Sequence, residues 1–132
     1  MAAAAARQVS TVRRILVVED EHQVCELISD MLGAEDLEVA CVNSDRDAYR
    51  QLSRRGAFSA ILVDINLGAG TTGFDVARFA RQMDPELPVV YVSGQASEAS
   101  FKAYGVPGSR FIEKPFTAEE LQATVRQALG EA

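Results

Sequence analysis

Glu19 and Asp20, Asp64, Ser93 and Lys114 each stand at or just past the end of a short apolar run: RRILVV before the first acids, FSAILV before Asp64, VVYV before Ser93 and RFIE before Lys114. Three carboxylates, a hydroxyl and an ammonium delivered in this way could do phosphoryl chemistry. Clustered carboxylates repel one another unless a cation neutralises them. Hard oxygen ligands of this kind suit Mg²⁺, which keeps several waters and shares its shell with phosphoryl oxygens. Beside such an ion Lys114 would balance charge, and Ser93 would donate a hydrogen bond to a phosphoryl group. Asp64 would then be the nucleophile, because carboxylates serve as acceptors that form reactive aspartyl-phosphates. Taken singly, each group has a plainer reading: an acid before a helix caps it, a serine after a strand turns the chain, and a lysine is a solvated charge. Only their convergence on one edge points to a site.

That convergence requires the apolar runs to be parallel strands whose carboxyl ends share one side of a sheet, where open α/β sheets bind ligands. The sequence supplies such strands at about 13–18, 37–42, 58–63, 89–93 and 110–113, β-branched and nearly continuous in apolar character as buried parallel strands are. Between them lie helical patterns. Val24, Leu27, Ile28, Met31 and Leu32 repeat at helical spacing, with Asp20 and Gln23 placed as a capping pair and Gly33 near the end. Ser44 opens a second helix that closes near Gly56, a third spans about 73–83 after a glycine-rich loop, and Pro85 and Pro88 separate it from the fourth strand. A weaker helix runs from about Ala96 to Tyr104. The last is the best marked, with Thr117 and Glu120 as an S/T-x-x-E capping box and Leu121, Val125 and Ala128 along one face. Regular βα alternation implies a parallel sheet covered by helices on both faces, joined by right-handed crossovers.

A net charge of −6 with scattered basic residues argues against direct DNA binding, which needs clustered Lys and Arg. No stretch approaches the roughly 20 apolar residues of a membrane span, so membrane insertion is not expected. The alanine-rich start is too weakly apolar for a signal peptide, and residues 1–12 read as a flexible tail on a cytoplasmic protein. Cys25 and Cys41 both lie in apolar periodic segments and form no metal-ligand spacing, which suggests reduced, buried thiols. His22, the only histidine, reads as an exposed bystander at a helix start, and Tyr91 and Tyr104 as packing residues.

With VVEDE after the first strand, LVDINL after the third, YVSG after the fourth and FIEKPF after the fifth, the chain resembles the receiver domains of two-component response regulators, over residues 13–129. The resemblance implies a doubly wound (βα)5 α/β fold with five parallel strands in flavodoxin-like order 2-1-3-4-5, and a receiver domain over residues 13–132. It implies that Asp64 is the phosphoacceptor, that Asp20 and Asp64 ligate Mg²⁺ (with Mn²⁺ as an alternative) together with the Asn66 backbone carbonyl, and that Glu19 holds the metal through water. It also implies that Ser93 is the switch hydroxyl, Phe111 the aromatic that changes rotamer with it, Lys114 the phosphoryl-contacting ammonium, and Lys114–Pro115 a cis peptide.

Function follows from the resemblance as an expectation: a single-domain response regulator, not an enzyme beyond its own phosphorylation and dephosphorylation. It would take its phosphoryl group from a sensor histidine kinase or a histidine phosphotransfer protein and signal to a downstream protein partner or along a phosphorelay. The alternatives are a receiver belonging to a longer response regulator or hybrid kinase, and a phosphorylation-independent interaction module. A phosphatase of the haloacid-dehalogenase type would need an acid two residues after the nucleophile, where this chain has Asn66. A flavodoxin-like cofactor binder would need a phosphate-cradling loop after the first strand, where EDEHQ would repel one.

Overall fold

A computed structural model of the chain describes residues 13–54, 56–68, 72–94 and 97–131. The expected tail at 1–12, and Ala96 at the expected start of the fourth helix, lie outside the described residues. Five strands, β1 (Arg14–Val18), β2 (Glu38–Val42), β3 (Ala60–Asp64), β4 (Val89–Ser93) and β5 (Arg110–Glu113), alternate with helices α1 (His22–Gly33), α2 (Asp45–Leu52), α3 (Gly73–Met83), α4 (Glu98–Tyr104) and α5 (Ala118–Ala128). All strand pairings are parallel, in the order β2-β1-β3-β4-β5. The fold is the flavodoxin-like α/β arrangement that the sequence led us to expect.

Strand side chains point alternately to the two faces, and the core divides accordingly. Leu16, Val18, Ile61, Val63, Val89 and Tyr91 pack with Ala48 and Leu52 of α2 and Phe74, Val76, Ala77 and Ala80 of α3. On the opposite face Ile15, Val17, Leu62, Val90 and Val92 pack with Cys25, Ile28 and Leu32 of α1 and Leu121 and Val125 of α5. Every residue of β3 and of β4 is buried, so these central strands form a rigid base for whatever their last residues carry.

Helix starts are set by local side-chain bonds. Ser44 caps α2 by accepting from the Asp47 amide at 3.1 Å. Thr117 and Glu120 form the expected capping box at α5, and Thr72 and Asp75 form a second one at α3 that the sequence reading did not pick out. The Asp20–Gln23 pair is a correction: α1 begins one residue later, after Glu21, without a side-chain cap. Leu27 also departs from the expected helix face and is exposed, while Cys25, Ile28 and Leu32 turn inward.

The cysteines are a second correction. Cys25 on α1 and Cys41 on β2 are joined in a disulfide, with Cα atoms 6.2 Å apart, within the range that such a bond spans. Both segments are apolar as read, but they are neighbours in space, a fact that a separation of 16 residues conceals. Among the described residues no helix is long and apolar enough to cross a membrane.

Candidate functional site

Backbone bonds bring the strand ends to one edge. The Glu19 amide donates to the Val42 carbonyl, Ile65 to Val92, and Lys114 to Ser93, at 3.0, 2.9 and 2.7 Å. These bonds carry the β1–β2, β3–β4 and β4–β5 pairings one residue past the ends of β1, β3 and β5, and the β1–β3 pairing sets the first two ends beside each other. Asp64, Ser93 and Glu19 are all buried there, and among the described residues the only other buried polar or charged side chain is Ser97.

Lys114 reaches into this group. Its ammonium donates to Glu19 Oε1 at 2.9 Å and to Asp64 Oδ2 at 3.1 Å. The other Asp64 oxygen, Oδ1, accepts from the Asn66 amide at 2.9 Å. Burial pushes the Glu19 carboxyl up to about 7, with the Asp64 charge adding to the effect and the Lys114 hydrogen bond opposing it. Burial alone would depress Lys114, but its bonds to Glu19 and Asp64 outweigh that and hold it above the ordinary lysine value. One ammonium thus stands against two buried carboxylates, and the site gains from a further cation.

Carboxylate oxygens of Glu19, Asp20 and Glu21 lie within 4.8 Å of one another, Glu19 buried and the other two exposed. Gly68 brings its backbone near one of these acids: a Cβ there would lie 3.6 Å from Asp20 Oδ2, and its φ of +71° is one that glycine adopts freely. An all-oxygen donor set on a half-open edge, with backbone close by, fits a hard divalent ion that keeps part of its water shell. Glu21, which the sequence reading did not include, joins this cluster, and its backbone amide also donates to Glu19 Oε2 at 3.2 Å.

Ser93 stands apart from Asp64 in its bonding. Its hydroxyl accepts from the Asn66 side-chain amide at 3.3 Å and pairs with the Ser97 hydroxyl at 2.7 Å. Phe111 is half-buried and stacks on Phe101 of α4, ring centres 5.3 Å apart and planes 22° from parallel. Phe101 in turn meets Tyr91, which meets Phe74, so an unbroken line of rings runs from β5 through the face that carries α4 and α3. Tyr91 is fully buried, its hydroxyl accepting from the Val106 amide at 3.1 Å. His22 is exposed, and the Lys114–Pro115 peptide is cis.

Besides Glu21, two further contributors escaped the sequence reading. A Cβ on Gly73 would fall 2.2 Å from the Asp64 carbonyl oxygen. The Gly73 amide donates to the Ile65 carbonyl at 2.8 Å, so only glycine lets α3 close onto the end of β3. The signal was a glycine following a threonine N-cap, read merely as the start of a helix. Ser97 is the other, and its only sequence signal was a serine four residues after Ser93.

The family model described as "Response regulator receiver domain" matches residues 15–126. A receiver protein from Sinorhizobium medicae superposes with a TM-score of 0.85 at 33% identity, covering 91% of this chain and 96% of that one. The receiver domain of NtrX from Brucella abortus gives 0.81 at 30% identity, covering 89% and 99%. Among curated proteins, the response regulator TodT of Pseudomonas putida is 27% identical over 87% of this chain but only 50% of its own length. LuxO of Vibrio cholerae is 30% identical over 88% of this chain and 25% of its own length. The chain thus spans half or less of the curated relatives it matches here. The strand order, the acid cluster beside β1 and the aspartate at the end of β3 accord with these matches, and the chain belongs to the response regulator receiver-domain family of two-component systems.

Proposed function

We propose that Asp64 is a phosphoacceptor and that the chain works as a phosphorylation-dependent signalling module. The observation that carries this reading is the contact of the Lys114 ammonium with a buried Asp64 carboxylate at a rigid strand end. An Asp64 oxygen attacks phosphorus while the bond from phosphorus to the donor breaks. A phosphohistidine donor leaves with the bonding pair on its ring nitrogen, and acetyl phosphate leaves as acetate. Lys114, already aimed at Asp64, pairs with the arriving phosphoryl oxygens. Ser93 supplies a hydroxyl donor once it turns from its present partners, and Phe111 packs differently as it does so.

Glu19, Asp20, Asp64 and the Asn66 carbonyl form the set that would hold Mg²⁺ or Mn²⁺, Glu19 through water. These residues would place such an ion where it would neutralise charge on the acceptor and phosphoryl oxygens. Receiver domains are regulatory rather than classical enzymes, so turnover here is limited to the chain's own phosphorylation and dephosphorylation. The donor class is a sensor histidine kinase or a histidine phosphotransfer protein. Output passes to a downstream protein, whether the module acts alone or within a longer regulator, as in those relatives that are transcriptional regulatory proteins.

Incubation with Mg²⁺ and acetyl phosphate, followed by intact mass, tests the reading. One phosphoryl adduct is expected, absent from Asp64→Asn and from a chelator-treated sample. No adduct on the unmodified chain, or an undiminished one on Asp64→Asn, overturns it.

A further inference from the structure

Among the described residues, buried Glu19, Asp64 and Ser93 have a part in the phosphoryl chemistry, and buried Ser97 has none. Its hydroxyl lies 2.7 Å from that of Ser93, and the two side chains are 8% and 0% exposed. A serine directly before a helix ordinarily accepts a hydrogen bond from an amide of the first turn. Ser97 directly precedes α4 yet makes no such bond, and its backbone sits at φ −98°, ψ −5°, helical rather than the extended form typical of a cap. Its hydroxyl is committed to Ser93 instead.

A hydroxyl has one proton to donate and two lone pairs. Ser93 already accepts from the Asn66 amide, and its short bond to Ser97, in which either hydroxyl can be the donor, occupies a second of its three bonding positions. With Ser93 as the donor in that pair its one proton is committed to Ser97, and to donate to a phosphoryl oxygen on Asp64 it must give up that bond. Because water has little access to a pair this buried, the exchange costs about as much as one net hydrogen bond.

We infer that Ser97 is a positioning residue for the switch hydroxyl. In the unphosphorylated chain it holds the Ser93 proton, and when Ser93 turns, the freed Ser97 hydroxyl is available to the first turn of α4. One bond exchange then couples the chemistry at Asp64 to the helix beside it. The inference rests on the phosphoacceptor reading and adds to it a residue that sets how readily the switch moves.

The test is a double-mutant cycle read as the rate of phosphorylation by acetyl phosphate at fixed Mg²⁺, with Mg²⁺ affinity and melting temperature followed alongside. Ser97→Ala should accelerate phosphorylation about fivefold, the scale of one net hydrogen bond, with metal affinity unchanged. Ser97→Thr, which keeps the hydroxyl, should return the rate to that of the parent. In a Ser93→Ala background, Ser97→Ala should have no effect on the rate. An unchanged or slower rate for Ser97→Ala, or equal acceleration with and without Ser93, would overturn the inference while leaving the acceptor reading intact. A parent chain that takes no phosphoryl group overturns both.

Discussion

Lys114 touches Asp64 and Glu19 at once, 3.1 Å from the first and 2.9 Å from the second, and so ties the end of β5 to the ends of β3 and β1. With Glu19 1% and Asp64 6% exposed, neither carboxylate has much water to replace this partner. Lys114→Ala should destabilise the metal-free chain by about 3 kcal/mol, the scale of removing one member of a buried ion pair. Added Mg²⁺ should restore a larger share of stability to the variant than to the parent, since it would neutralise the same acids. Urea unfolding with and without Mg²⁺ measures both effects.

Gly73 is the backbone counterpart of that contact. Because a Cβ would fall 2.2 Å from the Asp64 carbonyl oxygen, Gly73→Ala must displace either the start of α3 or the acceptor strand. A loss of about 2 kcal/mol is expected from the overpacking, together with slower phosphorylation by acetyl phosphate. Parent-like stability and rate would show that the helix start yields without moving Asp64.

The capping box of α3 gives a prediction with a sign in pH. Arg78 and Thr72 hydrogen bonds hold the Asp75 carboxyl below its ordinary value of 3.8. A depressed carboxylate stabilises the fold above the unfolded value and loses that contribution as pH falls through the folded one. The stability gap between parent and Asp75→Asn should therefore be present near neutral pH and close progressively below about pH 4. Thr72→Ala, which removes the cap itself, should cost about 1 kcal/mol near neutral pH. Urea midpoints across pH check both.

The disulfide between Cys25 and Cys41 closes a loop with a sequence separation of 16 and fastens α1 to the edge strand β2. A loop of that size corresponds to about 3 kcal/mol of stabilisation on the chain-entropy account. Reduction, or Cys41→Ser, should lower the urea midpoint accordingly, and thiol alkylation of the oxidised chain should label neither cysteine.

Much of the fold was legible because its signals are local. The apolar runs ending at Ser93 and Glu113 mark β4 and β5 to the residue, and Thr117 with Glu120 marks the start of α5. Asp64, Glu19 and Lys114 were legible as a group because acids and an ammonium at successive strand ends have few other reasons to be there. What stayed hidden depends on neighbours distant in sequence. Cys25 and Cys41 look like ordinary core residues until α1 lies against β2. Asp20 matches a capping pattern, but the helix takes Glu21 as its cap residue and Asp20 joins the acid cluster. Leu27 fits the helical period yet lies outside the buried stripe, in an apolar surface hollow with Val24 and Phe116. Ser97 is indistinguishable from a turn serine until its hydroxyl is seen on Ser93.

The most direct measurement of the central claim is chemical trapping of the phosphorylated residue. After treatment with Mg²⁺ and acetyl phosphate, borohydride reduction converts an aspartyl-phosphate to homoserine, and peptide mass mapping locates it. Homoserine at position 64, absent without Mg²⁺, is the predicted result. Trapping at Glu19 or Asp20 instead, or no trapping despite a folded chain with Mg²⁺ present, would contradict it.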